Sequence, residues 1–430
     1  MFSNIRSFLI SFVTVCIIFG TAAAIISYGR GYRFNFGDRE LNATGLVVAQ
    51  SDPSGAQIIV DDKITTATQA TLTLAPGWYN VTIAKEGFQP WKKRVKVQGE
   101  VVTKIDALLL PVNPSLTALT VSGVVSPILS PDGSKLAYVV PDQPQATISG
   151  TLSPTRPGIW VLDLVDKPLG LNRDARQIAQ SNGTDFSKAA LHWSPDSKQI
   201  LATPPTQTGL SAPLGYLLDT DKLNPNLTLI NIKTVQTDWQ TLKDQRTKEQ
   251  LVTIPPAFTD VASTSATIIA LSPDETKILY EATASATLPQ IITPPIIGTD
   301  PTEETRTIKP NNLYVYDIKE DRNYLVLNAA QFPVAPIPTP VRKGTLPTPT
   351  PVVDVSTILR WLPTSRHLVY VVKDKVQIMD YDGANVRTAY AGPFWDSFAV
   401  PWASGGKLVI LTNLNSSASE VNNLYVVNLK

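Results

Sequence analysis

A stretch of about fourteen residues recurs five times along this 430-residue chain, and this repeat limits most strongly the folds open to it. Each copy has an apolar run, a polar turn and a second apolar run, which is the pattern of a β-hairpin. The three clearest copies carry Ser-Pro-Asp in the turn, at residues 130–132, 194–196 and 272–274. Proline presets φ there, and aspartate accepts hydrogen bonds from nearby backbone N–H groups. Two weaker copies follow at residues 359–372 and 400–413.

The residues after each hairpin complete a unit of four strands. A third apolar segment follows every copy, such as IWVLDL from Ile159, and candidates for a fourth strand come next, such as RQIAQ from Arg176. One such sheet cannot bury both of its faces alone, so the repeats predict a β-propeller of five blades over residues 116–430, with six as the alternative. The last repeat has no fourth strand of its own. We therefore expect Leu116–Ser122, which precedes the first hairpin, to pair with the C-terminal strand and close the ring.

The hairpins are unevenly spaced, with steps of 64, 78, 90 and 41 residues. The steps run between the second turn residues, which are Pro131, Pro195, Pro273, Pro363 and Ser404. A bare blade takes roughly 40 residues, so the longer steps contain insertions. Three insertions, at 141–158, 283–311 and 331–354, are rich in Pro and Thr and predict extended loops.

Another insertion, between the second and third hairpins, predicts a helix. Thr237–Val252 has a helical composition, Asp238 suits its first turn, and Pro255 and Pro256 provide a stop. We expect this to be the one inserted helix of the propeller. Its packing residues should be Trp239, Leu242 and Leu251.

The segment at residues 45–111 has the sequence pattern of short strands separated by turns. Its apolar residues alternate with polar ones between Pro, Gly and Asp, which predicts a small antiparallel β-sandwich. The residues that punctuate it are Pro53, Gly55, Ala56, Asp61, Asp62, Pro76, Gly77, Trp78, Tyr79, Gly87 and Phe88. In this order they resemble a PEGA domain, although Asp62 stands where that family usually has glycine. The resemblance implies a non-catalytic, surface-exposed module of a bacterial or archaeal envelope protein.

The propeller repeat has a family resemblance of its own. The Ser-Pro-Asp-Gly hairpin, followed by a strand such as IWVLDL, resembles the TolB-like, WD-type repeat over roughly residues 116–430. That resemblance implies, as one alternative, an accessory protein of an envelope transport or assembly system with a peptide bound in the propeller channel.

The N-terminus predicts a membrane anchor. Ser7–Gly29 contains no charged residue and would span roughly 35 Å as a helix, enough for the ~30 Å hydrocarbon core. We expect a single uncleaved anchor at residues 7–29 and a juxtamembrane linker at residues 30–44. A cleavable signal peptide ending near Ala22–Ala24 is the alternative. The Lys and Arg count beside the anchor favours a cytoplasmic soluble part, but the envelope resemblance favours an extracytoplasmic one, which we expect.

The bulk composition excludes several classes of function. The 37 basic and 36 acidic residues balance and form no basic tract, so we expect no nucleic-acid partner. Cys16, in the anchor, is the only cysteine, which excludes disulfides and thiolate metal sites from the rest of the chain. Two separated histidines and the lack of a phosphate-binding glycine motif lead us to expect no metal and no cofactor.

His192, Ser194 and Asp196 look like the parts of a hydrolase triad. His192 and Ser194 lie two positions apart on one strand, however, and therefore point to the same face as neighbours. The other Ser-Pro-Asp copies have no histidine beside the serine and aspartate. We interpret these as turn residues and expect no catalytic residue, with a divergent propeller hydrolase or lyase as the alternative. His367 should lie on a half-exposed strand face.

Residues of the inner strands next to the channel are the candidates for binding. They are His192, Trp193, Arg360, Trp361 and Trp402. Indole faces and an arginine suit stacking and cation–π contacts with peptides or sugars. The alternative is that the tryptophans pack between blades. The sequence thus predicts an all-β, membrane-anchored, non-catalytic protein that binds or scaffolds an unknown protein, peptide or polysaccharide.

Overall fold

A computed structural model describes most of the chain in two compact units. The described residues are 2–29, 32–35, 40–142, 156–166, 174–205, 213–328, 330, 358–395, 398–414 and 421–430. Unit 1 comprises Met1–Val112 and Ile292–Glu303, and unit 2 comprises Asn113–Ile291 and Glu304–Lys430.

Unit 1 begins with a long apolar helix, α1 (Phe2–Gly29). Its segment Phe8–Ser27 is long and apolar enough to cross a membrane, a property that signal sequences share. Two short strands follow, β1 (Tyr32–Asn35) and β2 (Glu40–Ala43), and pair as an antiparallel hairpin in which Tyr32 lies opposite Ala43. The chain that leaves the helix is therefore folded back on itself before it enters the next domain.

A two-sheet sandwich forms the rest of unit 1. Its strands are β3 (Gly45–Asp52), β4 (Gln57–Val60), β5 (Lys63–Ala67), β6 (Ala70–Leu74), β7 (Gly77–Ala84), β8 (Trp91–Val97) and β9 (Val102–Leu108). One sheet has the order β6-β3-β9 and the other β5-β4-β7-β8. The first and last strands of the domain, β3 and β9, lie side by side and pair in parallel. The sandwich is therefore not wholly antiparallel, although the sequence predicted that it would be.

The core of the sandwich comes from the alternating positions of its strands. Ile58, Ile83, Trp91 and Val95 point inwards and are fully or almost fully buried. The β4–β5 turn consists of Asp61-Asp62, both at positive φ, which is the two-residue geometry that matches the twist of a hairpin.

Unit 2 contains five four-stranded antiparallel sheets and is a five-bladed β-propeller over the described residues. Its first ten strands are β10 (Leu116–Ala118), β11 (Val125–Leu129), β12 (Lys135–Val140), β13 (Gly158–Asp163), β14 (Arg176–Gln180), β15 (Ala190–Trp193), β16 (Gln199–Thr203), β17 (Leu214–Asp219), β18 (Leu229–Asn231) and, after helices α2 (Ile232–Leu251) and α3 (Pro256–Ser265), β19 (Ala266–Leu271).

The remaining strands are β20 (Lys277–Ala282), β21 (Ala286–Thr287), β22 (Thr307–Ile308), β23 (Leu313–Asp317), β24 (Arg322–Leu327), β25 (Leu359–Trp361), β26 (His367–Val372), β27 (Lys375–Asp380), β28 (Arg387–Ala391), β29 (Ala399–Pro401), β30 (Lys407–Thr412) and β31 (Asn423–Asn428). The blades are β11–β14, β15–β18, β19-β20-β23-β24, β25–β28 and β10-β31-β30-β29, called blades 1 to 5 below.

The expected closure of the ring is confirmed. Strand β10 pairs antiparallel with β31, with Leu116 opposite Val427 and Ala118 opposite Tyr425. The backbone N–H of Leu119 then donates to the carbonyl of Leu424 at 2.8 Å. Blade 5 is thus assembled from both ends of the propeller sequence, which leaves β31 no open edge.

The five inner hairpins share one turn geometry. In each, the first turn residue donates its N–H to the carbonyl five residues later, and the fourth has positive φ. The fourth residues are Gly133, Ser197, Glu275, Ser365 and Gly405. Trp402 is consequently the first turn residue of the last copy, and Ala403, not Ser404, corresponds to Pro363. The assignment of Ser404 as the second turn residue was wrong by one position. Gly405 and Gly406 can both adopt positive φ, so the sequence does not show which of them is the fourth turn residue.

The insertion in front of blade 3 holds two helices where one was expected. Helix α2 starts at Ile232 because the Asn231 side chain accepts the N–H of Lys233 at 2.9 Å. The expected stop at Pro256 is instead the start of α3, consistent with the preference of proline for a first helical position. Trp239 packs against the propeller as expected, whereas Leu242 and Leu251 are exposed.

The Pro/Thr-rich insertion at residues 283–311 is extended but packed. Strands β21 and β22 pair, and Leu288 and Ile308 are buried in the core of unit 2. Its middle part, Ile292–Glu303, belongs to unit 1. Residues 331–354 and 143–155 of the other two insertions lie outside the described residues.

Candidate functional site

The Ser-Pro-Asp residues are used to build turns. The Ser194 hydroxyl donates to Asp196 Oδ1 at 2.6 Å and accepts the N–H of Gln199 at 2.9 Å. The serines of the other two copies, Ser130 and Ser272, make the same two contacts. Partial burial acts to raise the pKa of Asp196, but the Ser194 hydroxyl and the Lys198 N–H outweigh it and hold the pKa below its ordinary value.

The same turns join neighbouring blades. The N–H of Asp132 in blade 1 donates to Ser197 Oγ in blade 2 at 3.3 Å. The N–H of Asp274 in blade 3 donates to Ser365 Oγ in blade 4 at 3.0 Å. Both serines are fourth turn residues at positive φ. Serine at this position thus gives an inter-blade hydrogen bond that glycine would not.

His192 takes no part in these contacts. It lies on β15 opposite Leu201, with its side chain exposed, while the neighbouring Leu191 is buried. Ser194, two residues further on, is almost fully buried in its turn. The three residues that resemble a triad in the sequence are therefore not arranged as one.

The three tryptophans among the candidate binding residues lie in packing positions. Trp193 packs with core residues of blades 1 and 2 and donates its indole N–H to the carbonyl of Ile128 at 3.2 Å. Trp361 is buried among residues of blades 3 and 4. Trp402 is buried among residues of blades 1 and 5, with Lys407 Nζ 5.2 Å from its ring centroid. Their flat faces are largely occupied by the protein itself.

His192 and Arg360 remain as accessible polar residues of the inner strands. Each lies one position before the tryptophan that precedes its turn, in blades 2 and 4 respectively. His192 is exposed and Arg360 is half-buried. The corresponding residues of blades 1, 3 and 5 are Ile128, Ala270 and Val400, so only blades 2 and 4 carry a polar residue at this position.

His367, which was expected on a half-exposed face, is buried. It is the first residue of β26, its Nδ1 lies 2.9 Å from the Thr364 hydroxyl, and its Nε2 lies 3.7 Å from Asp380 Oδ1. Burial, reinforced by the positive charges of Arg387 and Arg366, lowers its pKa to about 3. The imidazole is neutral at pH 7, and it lies inside blade 4 and not in an open site.

A basic face on the sandwich was missed in the sequence. Strands β5-β4-β7-β8 point their other residues away from the core, and the cations on this outer face all come from β8: Lys92, Arg94 and Lys96. Trp78 of β7 lies directly opposite Lys96, and the Arg94 guanidinium lies 5.0 Å from the Trp78 ring centroid. The four strands contain no Asp or Glu. The alternation in WKKRVKV carried this signal, since Trp91, Val95 and Val97 fill the core positions.

The described residues offer no arrangement suited to a metal. No group of three or more His, Cys, Asp or Glu side chains comes together among them. The single cysteine, Cys16, is exposed on α1.

Comparisons with known proteins agree with part of this picture. Residues 44–113 match the family model of the PEGA domain. No curated protein matches the chain. Among solved structures, the putative TolB of Agrobacterium tumefaciens is 12% identical with a TM-score of 0.20, over 69% of this chain and 76% of that one.

Two further solved structures have similarly low values. TolB of Acinetobacter baumannii is 14% identical with a TM-score of 0.19, over 90% of this chain but only 63% of its own length. Oligogalacturonate lyase of Vibrio parahaemolyticus is 10% identical with a TM-score of 0.20, over 84% of this chain and 81% of that one. Similarities this weak say nothing about ligand or activity. The sheet order and the family match together give the conclusion that the chain carries a PEGA domain followed by a five-bladed β-propeller.

Proposed function

We propose that this chain is a membrane-anchored, non-catalytic binding or scaffolding protein of the cell envelope, with its PEGA domain and propeller outside the cytoplasm. The observation that carries the proposal is the use of the Ser-Pro-Asp residues. Their hydroxyl and carboxylate groups are engaged in the same turn hydrogen bonds in three blades. The one motif that suggested catalysis is thereby accounted for as architecture.

The position of the apolar helix supports anchoring. Helix α1 is continuous to Gly29, and its exposed residues include Ile25 and Ile26, beyond the small residues at which a signal peptidase would cut. The protein partner or polysaccharide would then bind the propeller at its inner strands, where the accessible polar residues include His192 and Arg360.

Orientation is tested by protease treatment of intact cells and of spheroplasts. We expect the propeller to be digested in spheroplasts, and in samples without protease we expect the full-length band, with its helix retained, in the membrane fraction. Protection of the propeller in both preparations would place it in the cytoplasm, and a soluble chain lacking the first 24 residues, which end at Ala24, would show cleavage at that site.

Binding is tested by crosslinking the full-length protein in the membrane and comparing partners between variants. The double variant His192→Ala with Arg360→Ala should lose the crosslinked partner, whereas Lys188→Ala, an exposed residue elsewhere on the propeller, should keep it. Equal crosslinking by both variants would contradict binding at the inner strands.

A further inference from the structure

The outer face of the β5-β4-β7-β8 sheet carries a combination of side chains that differs from an ordinary solvated surface. Ile64 is 69% exposed and Trp78 is 47% exposed, and both stand on the same face as Ile59 and the three cations of β8. The register confirms the common face, because Ile64 pairs with Ile59, Ile59 with Thr82, and Thr82 with Lys92. Trp78 thus lies beside the positive charges of β8, and Ile64 stands on the same face at the opposite edge of the sheet.

Carboxylates lie in the turns at the border of this face. Asp61 and Asp62 form the β4–β5 turn, and Asp61 Oδ1 accepts the backbone N–H of Asn80 at 2.9 Å. The four strands themselves contain no Asp or Glu, and Arg94 and Lys96 are exposed on the outer face. The face therefore suits a ligand that is both anionic and able to receive isoleucine and indole side chains.

The fold also limits how far this domain can lie from the end of α1. Only residues 30 and 31 separate Gly29 from Tyr32, and Tyr32 is paired directly with Ala43, two residues before Gly45. At ~3.5 Å per residue and roughly 5 Å across the pair, the sandwich begins no more than about 25 Å from the helix end. Without the β1–β2 hairpin, the same stretch would reach about twice as far.

We propose that this outer face binds the anionic lipid headgroups of the membrane in which α1 is anchored. Lys92, Arg94 and Lys96 would approach the phosphates, and Trp78 and Ile64 would enter the headgroup layer, which is the arrangement typical of interfacial membrane binding. This inference rests on the proposed anchoring, and it deepens the proposed function because the PEGA domain then acts as a second membrane contact.

The test uses the full chain in lipid nanodiscs with a single reporter. Because Cys16 is the only cysteine, the double variant Cys16→Ser with Ile64→Cys places one thiol-reactive fluorophore on the face. A matched reporter, Cys16→Ser with Thr73→Cys, labels an exposed residue of the other sheet. Quenching by lipids that carry a nitroxide on the headgroup is measured in phosphatidylcholine discs with and without phosphatidylglycerol.

The label at position 64 should be quenched in discs that contain phosphatidylglycerol, and the label at position 73 should not. The triple variant Lys92→Gln, Arg94→Gln, Lys96→Gln should reduce quenching at least about tenfold, as should ~0.5 M salt, which shortens the Debye length to a few ångströms. A control with the same change in charge, Lys188→Gln, Lys243→Gln, Lys248→Gln, removes exposed propeller lysines and should have no effect.

Three outcomes would overturn the proposal. Position 64 could remain unquenched in both lipid mixtures, or be quenched equally in both, or respond to an added soluble anionic polysaccharide and not to the lipid. Failure of the anchor itself gives a different result, because the protein would then not enter the discs at all.

Discussion

Lys93 and Asp300, which are 207 residues apart in the sequence, form an ion pair of 2.7 Å within unit 1. Both side chains are nearly buried, at 13% and 10% exposure. Asp300 also accepts the N–H and the hydroxyl of Thr302, and nearby the N–H of Gly298 donates to Gln98 Oε1 at 3.0 Å. The segment Ile292–Glu303 is therefore held on the sandwich by specific polar contacts.

Replacing Lys93 by methionine should release this segment. Burial acts to raise the pKa of Asp300, and Lys93 together with the N–H and hydroxyl of Thr302 outweighs it, so removing the cation leaves a buried carboxylate without its ion-pair partner. We expect a loss of about 2 kcal/mol in the local stability, seen as roughly thirtyfold faster hydrogen exchange of peptides that cover residues 292–303.

The control is Lys104→Met, which removes an exposed cation from β9 of the same unit and should leave the exchange unchanged. Adding Asp300→Asn to Lys93→Met should restore part of the loss, since the uncompensated charge is then gone. Equal protection in wild type and Lys93→Met would show that the ion pair does not hold the segment.

His367 should make the stability of the protein depend on pH. Its pKa is about 3 in the folded state and near 6.5 in the unfolded chain, so the unfolded state takes up a proton first. The contribution of the neutral imidazole to the unfolding free energy is fully present above pH 6.5 and is lost as the pH falls towards 3. As the pH is lowered, the unfolding free energy of wild type should decrease more steeply than that of His367→Gln, by up to about 1.4 kcal/mol per pH unit.

Urea denaturation at pH 7 and pH 4.5 measures this difference. Asp380, Arg366 and Arg387 surround the imidazole and are present in both proteins, so the two proteins differ only at position 367. His192→Gln serves as the control because that histidine is exposed, and it should leave the unfolding free energy at pH 7 close to that of wild type. Parallel pH profiles for wild type and His367→Gln would refute the assignment of a buried neutral imidazole.

The Ser194 hydroxyl should matter for stability, and His192 should not. Ser194→Ala removes a buried hydroxyl that accepts two backbone N–H groups and donates to Asp196, and the expected cost is about 1–2 kcal/mol. Ser272→Ala should cost a similar amount because it breaks the same turn contacts in blade 3. His192→Ala should change stability by less than about 0.5 kcal/mol.

Thermal unfolding of the three variants shows whether Ser194 is an ordinary turn residue or part of a functional site with His192. A loss with Ser194→Ala far from that of Ser272→Ala, or a loss with His192→Ala as large as either, would mean that the second copy, at residues 194–197, is not an ordinary turn.

Local patterns explain what the sequence revealed. The blades and the ring closure were predictable because turn residues and alternating strands are encoded within a few residues, and the missing fourth strand left a single candidate partner. The sequence left open whether Trp361 packs between blades or lines the channel, and it did not predict the burial of His367, since a strand of a propeller packs on both faces and alternation does not distinguish them. The contact of Lys93 with Asp300 was beyond reach because a pairing between distant segments leaves no periodic signal.

The register of ring closure can be tested with a disulfide. Ala118 and Tyr425 lie directly opposite each other on β10 and β31, and both are accessible. In a Cys16→Ser background, Ala118→Cys with Tyr425→Cys should crosslink under mild oxidation, because side chains of opposed residues lie about 5 Å apart. The pair Thr117→Cys with Tyr425→Cys should crosslink poorly, since a slip of one residue turns the side chains to opposite faces. The crosslinked chain, joined through both ends of the propeller, should run faster on a non-reducing gel than the reduced chain. Equal crosslinking of both pairs would mean that β10 does not hold this register, and no crosslinking of either would mean that β10 does not pair with β31.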